Sequence, residues 1–232
     1  MKYWMKKMAM LAVLPALFLV SCDDDDDDID LNTDDAEVMV VHASPDAPGV
    51  DLLINDVKVN TSPLTFPNNT GYLELPAGRQ NVKVNAAGTS TTVINANLDL
   101  EADKDYSVFA INTLDNIEPL VLEDDLTDPA SGMAHVRFVH LSPDAPAVDI
   151  AVQGGPVLFS NRAFKSATDF TPVSAGTYTL EVRPAGTTTA VLTIPDVELM
   201  SGNIYTVFAS GFLTPPEGNT NMLDAQIIMN EE

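Results

Sequence analysis

Residues 38–51 read VMVVHASPDAPGVD, and residues 136–149 read VRFVHLSPDAPAVD. The two stretches stand at an offset of 98 residues, which sets His42 against His140. Outward from them, Ala77-Gly78 matches Ala175-Gly176 and Ala87-Gly88-Thr89 matches Ala185-Gly186-Thr187 at the same offset. After one inserted residue, Tyr106-Ser107-Val108-Phe109-Ala110 matches Tyr205-Thr206-Val207-Phe208-Ala209. A period this long is far above the roughly 20 to 50 residues of solenoids and propellers and close to one small domain, so a tandem pair is expected. The boundary is expected in residues 124–132, DDLTDPASG, where acid, proline and glycine replace apolar periodicity. Domains 37–128 and 133–230 follow, and a linker this short predicts that they lie end to end with little hinge motion.

Within each copy the signals are those of strands. Val82 and Val84 alternate with Asn81, Lys83 and Asn85, and Tyr178, Leu180 and Val182 alternate with Thr179, Glu181 and Arg183. Each pattern means one buried and one wet face. Residues 38–41, 106–111, 138–139 and 205–209 are apolar on both sides, as central strands between layers are. Turn residues separate the runs at Asn55-Asp56, Pro76-Ala77-Gly78, Ala86-Ala87-Gly88 and Gln153-Gly154-Gly155. No segment after Asp35 keeps a 3.6-residue period for three turns. The expectation is an all-β chain with two tandem β-sandwich domains of immunoglobulin-like size. The single tryptophan is Trp4 and the single cysteine Cys22, so the buried Trp and disulfide of antibody domains are missing and only the architecture is predicted.

Ahead of the pair, Lys2, Lys6 and Lys7 precede an apolar stretch, residues 8–20, interrupted by Pro15. A membrane-crossing helix needs about 20 apolar residues, so residues 1–21 read as a cleaved signal peptide. Leu19-Val20-Ser21-Cys22 resembles a bacterial lipoprotein signal. That resemblance implies a diacylglyceryl group on the Cys22 sulfur and an acylated new amino terminus. Each buried methylene contributes about 0.8 kcal/mol, so several fatty-acid chains such as palmitate hold a protein on the bilayer. Acylation also removes the one thiol, leaving no disulfide, no Cys-ligated zinc and no cysteine nucleophile. Residues 22–36 carry Asp23, Asp24, Asp25, Asp26, Asp27, Asp28, Asp30, Asp34 and Asp35 and read as a disordered acidic tether, too poor in apolar surface to offset chain entropy. An acidic run directly after a lipidated cysteine also resembles the surface-export signal of some outer-membrane lipoproteins. The implied address is the outer membrane, surface-exposed; a periplasm-facing protein is the alternative.

The formal net charge is -23, and removing Lys2, Lys6 and Lys7 makes it -26. Nucleic acid and anionic lipid are therefore repelled, and neither is an expected partner.

The pattern His-x-Ser-Pro-Asp-Ala-Pro-x-Val-Asp, at residues 42–51 and 140–149, resembles the start of the bacterial family called domain of unknown function 4397. The resemblance runs on through each copy to the Tyr-x-Val-Phe-Ala strand. It implies a secreted or surface β domain, often repeated, and it brings no reaction and no catalytic residues. Read physically, Pro45 and Pro48 fix φ and push Ser44 and Ala47 toward extended geometry, making a rigid corner. Asp46 suits an Asx turn, and Asp51 enters the next strand.

The same corner offers another reading, in which His42, Asp46 and Asp51, and His140, Asp144 and Asp149, supply nitrogen and carboxylate donors to zinc or manganese. No spacing among them is diagnostic. His135 does not add to the set, since an odd separation along a strand turns it to the face opposite His140. The chain has no Gly-x-Ser-x-Gly elbow, phosphate loop, HExxH or EF-hand loop, so neither catalysis nor a cofactor is expected. Residues 213–221, LTPPEGNTN, form a longer loop than residues 112–116 and stand as a partner contact or a plain solvated connection. The sequence thus describes a lipid-anchored envelope module that binds or spaces without catalysis. Protein precedes glycan as partner, because no tryptophan outside the signal offers a stacking platform. A metal-binding protein or metal-dependent enzyme is the alternative.

Overall fold

The computed structural model describes residues 35–230. Cys22, the signal peptide and residues 22–34 of the tether lie outside the described residues. The first copy contributes β1 (Asp35–His42), β2 (Val50–Ile54), β3 (Val57–Lys58), β4 (Asn69–Pro76), β5 (Gly78–Ala86), β6 (Thr92–Leu100), β7 (Asp105–Ile111) and β8 (Glu118–Asp124). The second contributes β9 (Met133–His140), β10 (Val148–Val152), β11 (Val157–Arg162), β12 (Thr171–Ser174), β13 (Gly176–Pro184), β14 (Leu192–Leu199), β15 (Ile204–Ser210) and β16 (Asp224–Met229). Among the described residues the one helical element is a single 3-10 turn, Leu114–Asn116.

These strands make four sheets of four, in the orders β4-β1-β7-β8 and β3-β2-β5-β6 in the first copy and β12-β9-β15-β16 and β11-β10-β13-β14 in the second. Each copy is a β-sandwich, and the chain is all-β as its periodicity predicts. In both copies the first strand runs parallel to the seventh, β1 beside β7 and β9 beside β15, and all other pairs are antiparallel. The β2–β3 hairpin turns on Asn55 and Asp56 at φ 48° and 67°. A two-residue turn with both φ positive matches strand twist, and Asn and Asp tolerate that region better than most side chains.

Two of the three cores are those of the sandwiches. Val38, Val40, Leu52, Val82, Val84, Ile94 and Val108 fill the first. Val136, Phe138, Ile150, Phe159, Leu180, Val182 and Val207 fill the second. The third lies between the copies, where Met39, Val41, Phe109 and Ile111 of the first meet Val139, Leu141, Phe208 and Ile228 of the second. The Phe109 and Phe208 rings, equivalent positions in the repeat, meet edge to face with centroids 5.9 Å apart. The sandwiches are therefore stacked sheet on sheet and not end to end. The reason is the double-sided apolarity of β1, β7, β9 and β15: one face closes its own sandwich, and the other is covered only by the sister copy. At the amino-terminal end, β1 takes in two residues assigned above to the tether. Ala36 is buried in the first core, and the Asp35 carbonyl accepts the Asp103 N–H at 2.8 Å.

Candidate functional site

The repeated motif forms the crossing from β1 to β2 and from β9 to β10, and its side chains are spent on holding that crossing. His42 and His140 are fully buried at the ends of their strands. The Nε2–H of His42 donates to the Pro48 carbonyl at 2.9 Å, and that of His140 to the Pro146 carbonyl at 3.1 Å. A carbonyl can only accept, so both rings carry the proton on Nε2. Burial pushes both pKa values below the ordinary histidine value, opposed by the bonds to backbone carbonyls, so both rings are neutral at pH 7.

The aspartates tie the crossing to two neighbouring loops. Asp46 accepts the Leu114 N–H at 2.8 Å, and Asp144 accepts those of Leu213 and Thr214 at 2.7 and 2.8 Å, fastening the loop after the seventh strand. Asp51 accepts the Gly88 N–H at 3.0 Å and pairs with Lys58 at 2.7 Å. Asp149 accepts the Asn161 N–H at 2.7 Å and the Gly186 N–H at 2.9 Å. These partners hold both carboxyls below the usual carboxylate range, the Lys58 bond leading for Asp51 and the Asn161 bond for Asp149.

A metal centre needs these donors to converge, and they do not. Each faces its own backbone partner, and no group of three or more His, Cys, Asp or Glu that could hold a metal occurs among the described residues. The six candidates from the motif are loop clamps in geometry. The loop 213–221 is likewise tied down on one side: Asn219 and Asn221 donate their side-chain amides to the Pro45 carbonyl of the other copy at 3.0 and 2.6 Å.

Sequence reading missed a polar ring across the copy interface. Arg137, 2% exposed, donates to Asp124 at 2.5 Å, to Ser107 at 2.8 Å and to Thr206 at 2.8 Å. Ser107 donates to Asp124 at 2.6 Å and Thr206 to Asn230 at 2.7 Å; Asn230 donates to Tyr72 at 2.9 Å and Tyr72 to Asp124 at 2.5 Å. The ring of donors thus closes on one carboxylate, and the Arg137 guanidinium also lies 4.6 Å from the Phe170 ring centroid. Burial, with the Asp124 charge next in effect, raises the Tyr72 pKa, so its proton stays in the ring. The available signal was a mismatch between the copies, Arg137 standing where the first has Met39.

The other missed feature is an open groove of about 420 Å³ in the first copy, bounded by residues 59–65, 68–70 and 73. Val59, Pro63, Leu64 and Leu73 give it apolar surface, and Thr61, Ser62, Asn68 and Asn69 give it hydroxyls and amides. None of its lining side chains is ionisable or aromatic. Asn60 stiffens the wall by accepting the Leu52 N–H at 2.8 Å and donating to the Val50 and Ser62 carbonyls at 3.0 and 2.9 Å. In the second copy the six-residue β11 follows the same hairpin, and Phe164 and Ala167 turn into the interface core.

Comparison with known proteins bears on the repeats. The family described as domain of unknown function (DUF4397) matches residues 36–151 and 143–226. No curated protein matches the chain. Among solved structures it is similar to the crystal structure of CBMbc (family CBM26) from Eubacterium rectale Amy13K in complex with maltoheptaose, at 10% identity over 84% of this chain and 98% of that one. The TM-score is 0.25, and a likeness of that size carries no argument.

Proposed function

Starting from the fact that the chain belongs to the DUF4397 family, we propose that it is a non-catalytic module of the cell envelope, held by lipid on Cys22, that binds or spaces. The observation that carries the binding half is the uncharged groove beside residues 59–65, a concavity within the range of about 300–1,000 Å³ common to ligand sites. In a chain of net charge -23, a recess without an ionisable group selects a neutral polar ligand. An extended protein segment suits hydroxyls and amides over an aliphatic floor. A glycan stands second, because the groove lacks an aromatic ring on which a sugar could stack.

The absence of catalysis rests on the motif. Its histidines and aspartates are committed to backbone groups, so none is presented as a general base or nucleophile to a reacting ligand. The metal-dependent reading has no converging donor set among the described residues to support it.

A photo-crosslinking residue at Ser62, compared with one at exposed Thr193 on the second copy, tests the binding role in intact cells. Adducts specific to position 62 support it, whereas none, or the same adducts at both positions, refute it. The anchor is tested separately. Cys22→Ser should abolish fatty-acid labelling and release the protein from the membrane fraction. Protease treatment of whole cells should cut the domains if they face outward and spare them if they face the periplasm.

A further inference from the structure

The sheet edges are guarded unequally. Proline interrupts or ends four of them, at Pro76 in β4, Pro119 in β8, Pro172 in β12 and Pro195 in β14. β3 is two residues long, and β11 carries Asn161 at φ 52°. β6 has no proline, but its exposed side chains are Thr92, Asn95, Asn97 and Asp99. Short, charged, polar or proline-bearing edges resist strand addition. β16 has none of these devices beyond Asp224 at its start.

Register shows what β16 offers. Among the described residues it pairs with β15 alone, from Tyr205 opposite Met229 to Ser210 opposite Asp224. The Asn230 N–H donates to the Ile204 carbonyl at 2.8 Å. Hydrogen-bonded and non-bonded pairs alternate along an antiparallel ladder, so the main-chain groups of Asp224, Gln226 and Ile228 point at β15 and those of Ala225, Ile227 and Met229 point away. The Ala225 N–H is taken by the Asp224 carboxylate at 2.8 Å. The N–H groups of Ile227 and Met229 and the carbonyls of Ala225, Ile227 and Met229 therefore face outward. The side chains of Ile227 and Met229 are 40% and 38% exposed beside them.

We propose that this edge pairs with the same edge of a second copy, antiparallel and centred on Ile227, joining two sheets across a two-fold axis. The choice of occupant comes from the strand's own pattern. In that register Ile227 faces itself, Ala225 faces Met229, Gln226 faces Ile228 and Asp224 faces Asn230, so no residue of the strand opposes a like charge. The outward N–H groups of Ile227 and Met229 meet the carbonyls of Ile227 and Ala225 across the axis, only the Met229 carbonyl facing an N–H that Asp224 already holds, and the two exposed apolar side chains on each copy are covered. Opposing this is the net charge of -23 on each chain, so pairing strengthens as salt screens that repulsion.

Sedimentation velocity on the full chain in detergent, carrying Cys22→Ser, tests the pairing. The expected result is a reversible dimer favoured by added salt, with Ile227→Lys raising its dissociation constant by about tenfold or more because two ammonium groups would stand opposite each other. The thermal midpoint of Ile227→Lys should match the parent, since the side chain is at an open edge. A single cysteine at 227, introduced as Ile227→Cys, should oxidise to a covalent dimer, because directly opposed bonded residues have Cα atoms about 5.5 Å apart, within disulfide reach. Thr193→Cys serves as the control. A one-chain mass at every concentration, a dimer indifferent to Ile227→Lys, or equal cross-linking at 193 would overturn the proposal.

Discussion

Removing the carboxylate of Asp124 should unlock the two sandwiches. Asp124 is 4% exposed and accepts from Arg137, Ser107 and Tyr72, so Asp124→Ala strands a buried guanidinium and orphans two hydroxyl donors. Breaking a buried pair from one side costs about 3–5 kcal/mol, because a buried charge is left without its partner. For a chain of this size that lowers Tm by roughly 6–20 °C. Arg137→Met, which installs the residue found at the equivalent Met39, should cost a similar amount by leaving the Asp124 charge uncompensated. The double variant Asp124→Ala with Arg137→Met removes both charges together. What remains is a set of lost neutral bonds from Ser107, Thr206 and Tyr72, worth about 1 kcal/mol each. The double variant should therefore be less destabilised than the sum of the singles, about 6–10 kcal/mol, by about 3 kcal/mol or more. Urea melts of the four proteins give the cycle. A loss below about 1 kcal/mol for Asp124→Ala, or strict additivity in the double variant, would refute the view that one closed polar ring locks the copies.

Three further outcomes follow from the same geometry. Phe208→Ala opens the interface core and should cost about 3–5 kcal/mol, with slow-exchanging amides of β5 and β13 losing protection together; loss confined to the second copy would contradict a shared core. Gly211 sits at φ +81°, and a Cβ there would lie 2.1 Å from the Met222 carbonyl oxygen, whereas Gly88 at φ +71° has open space around it, so Gly211→Ala should lower Tm clearly more than Gly88→Ala. The buried histidines have folded pKa values below 6.5, so the unfolded chain binds protons first as pH falls. The stability they favour is present above about pH 6.5 and lost as pH drops toward the folded values, and His42→Gln with His140→Gln should flatten that part of a melt-versus-pH curve.

Much of the fold was legible in the chain. Alternation at Val82 and Val84, and at Tyr178, Leu180 and Val182, identified half-buried strands, because a strand's side-chain period is two and one face must leave water. The 98-residue echo identified two copies of one sandwich. The motif was legible as a corner but not as a set of clamps, since the backbone N–H partners of Asp46, Asp51, Asp144 and Asp149 lie between 12 and 70 residues away.

Strand content, duplication and the rigid Pro-Asp corner were determined by local pattern alone, because φ restriction and period-two burial are properties of neighbouring residues. Only the tertiary structure decided that the copies stack face to face, that Arg137 meets Asp124 in a closed ring, and that residues 59–65 of the first copy border an open groove. Each of these depends on which surface covers which, a pairing of distant faces set by packing and by the need to satisfy buried charge.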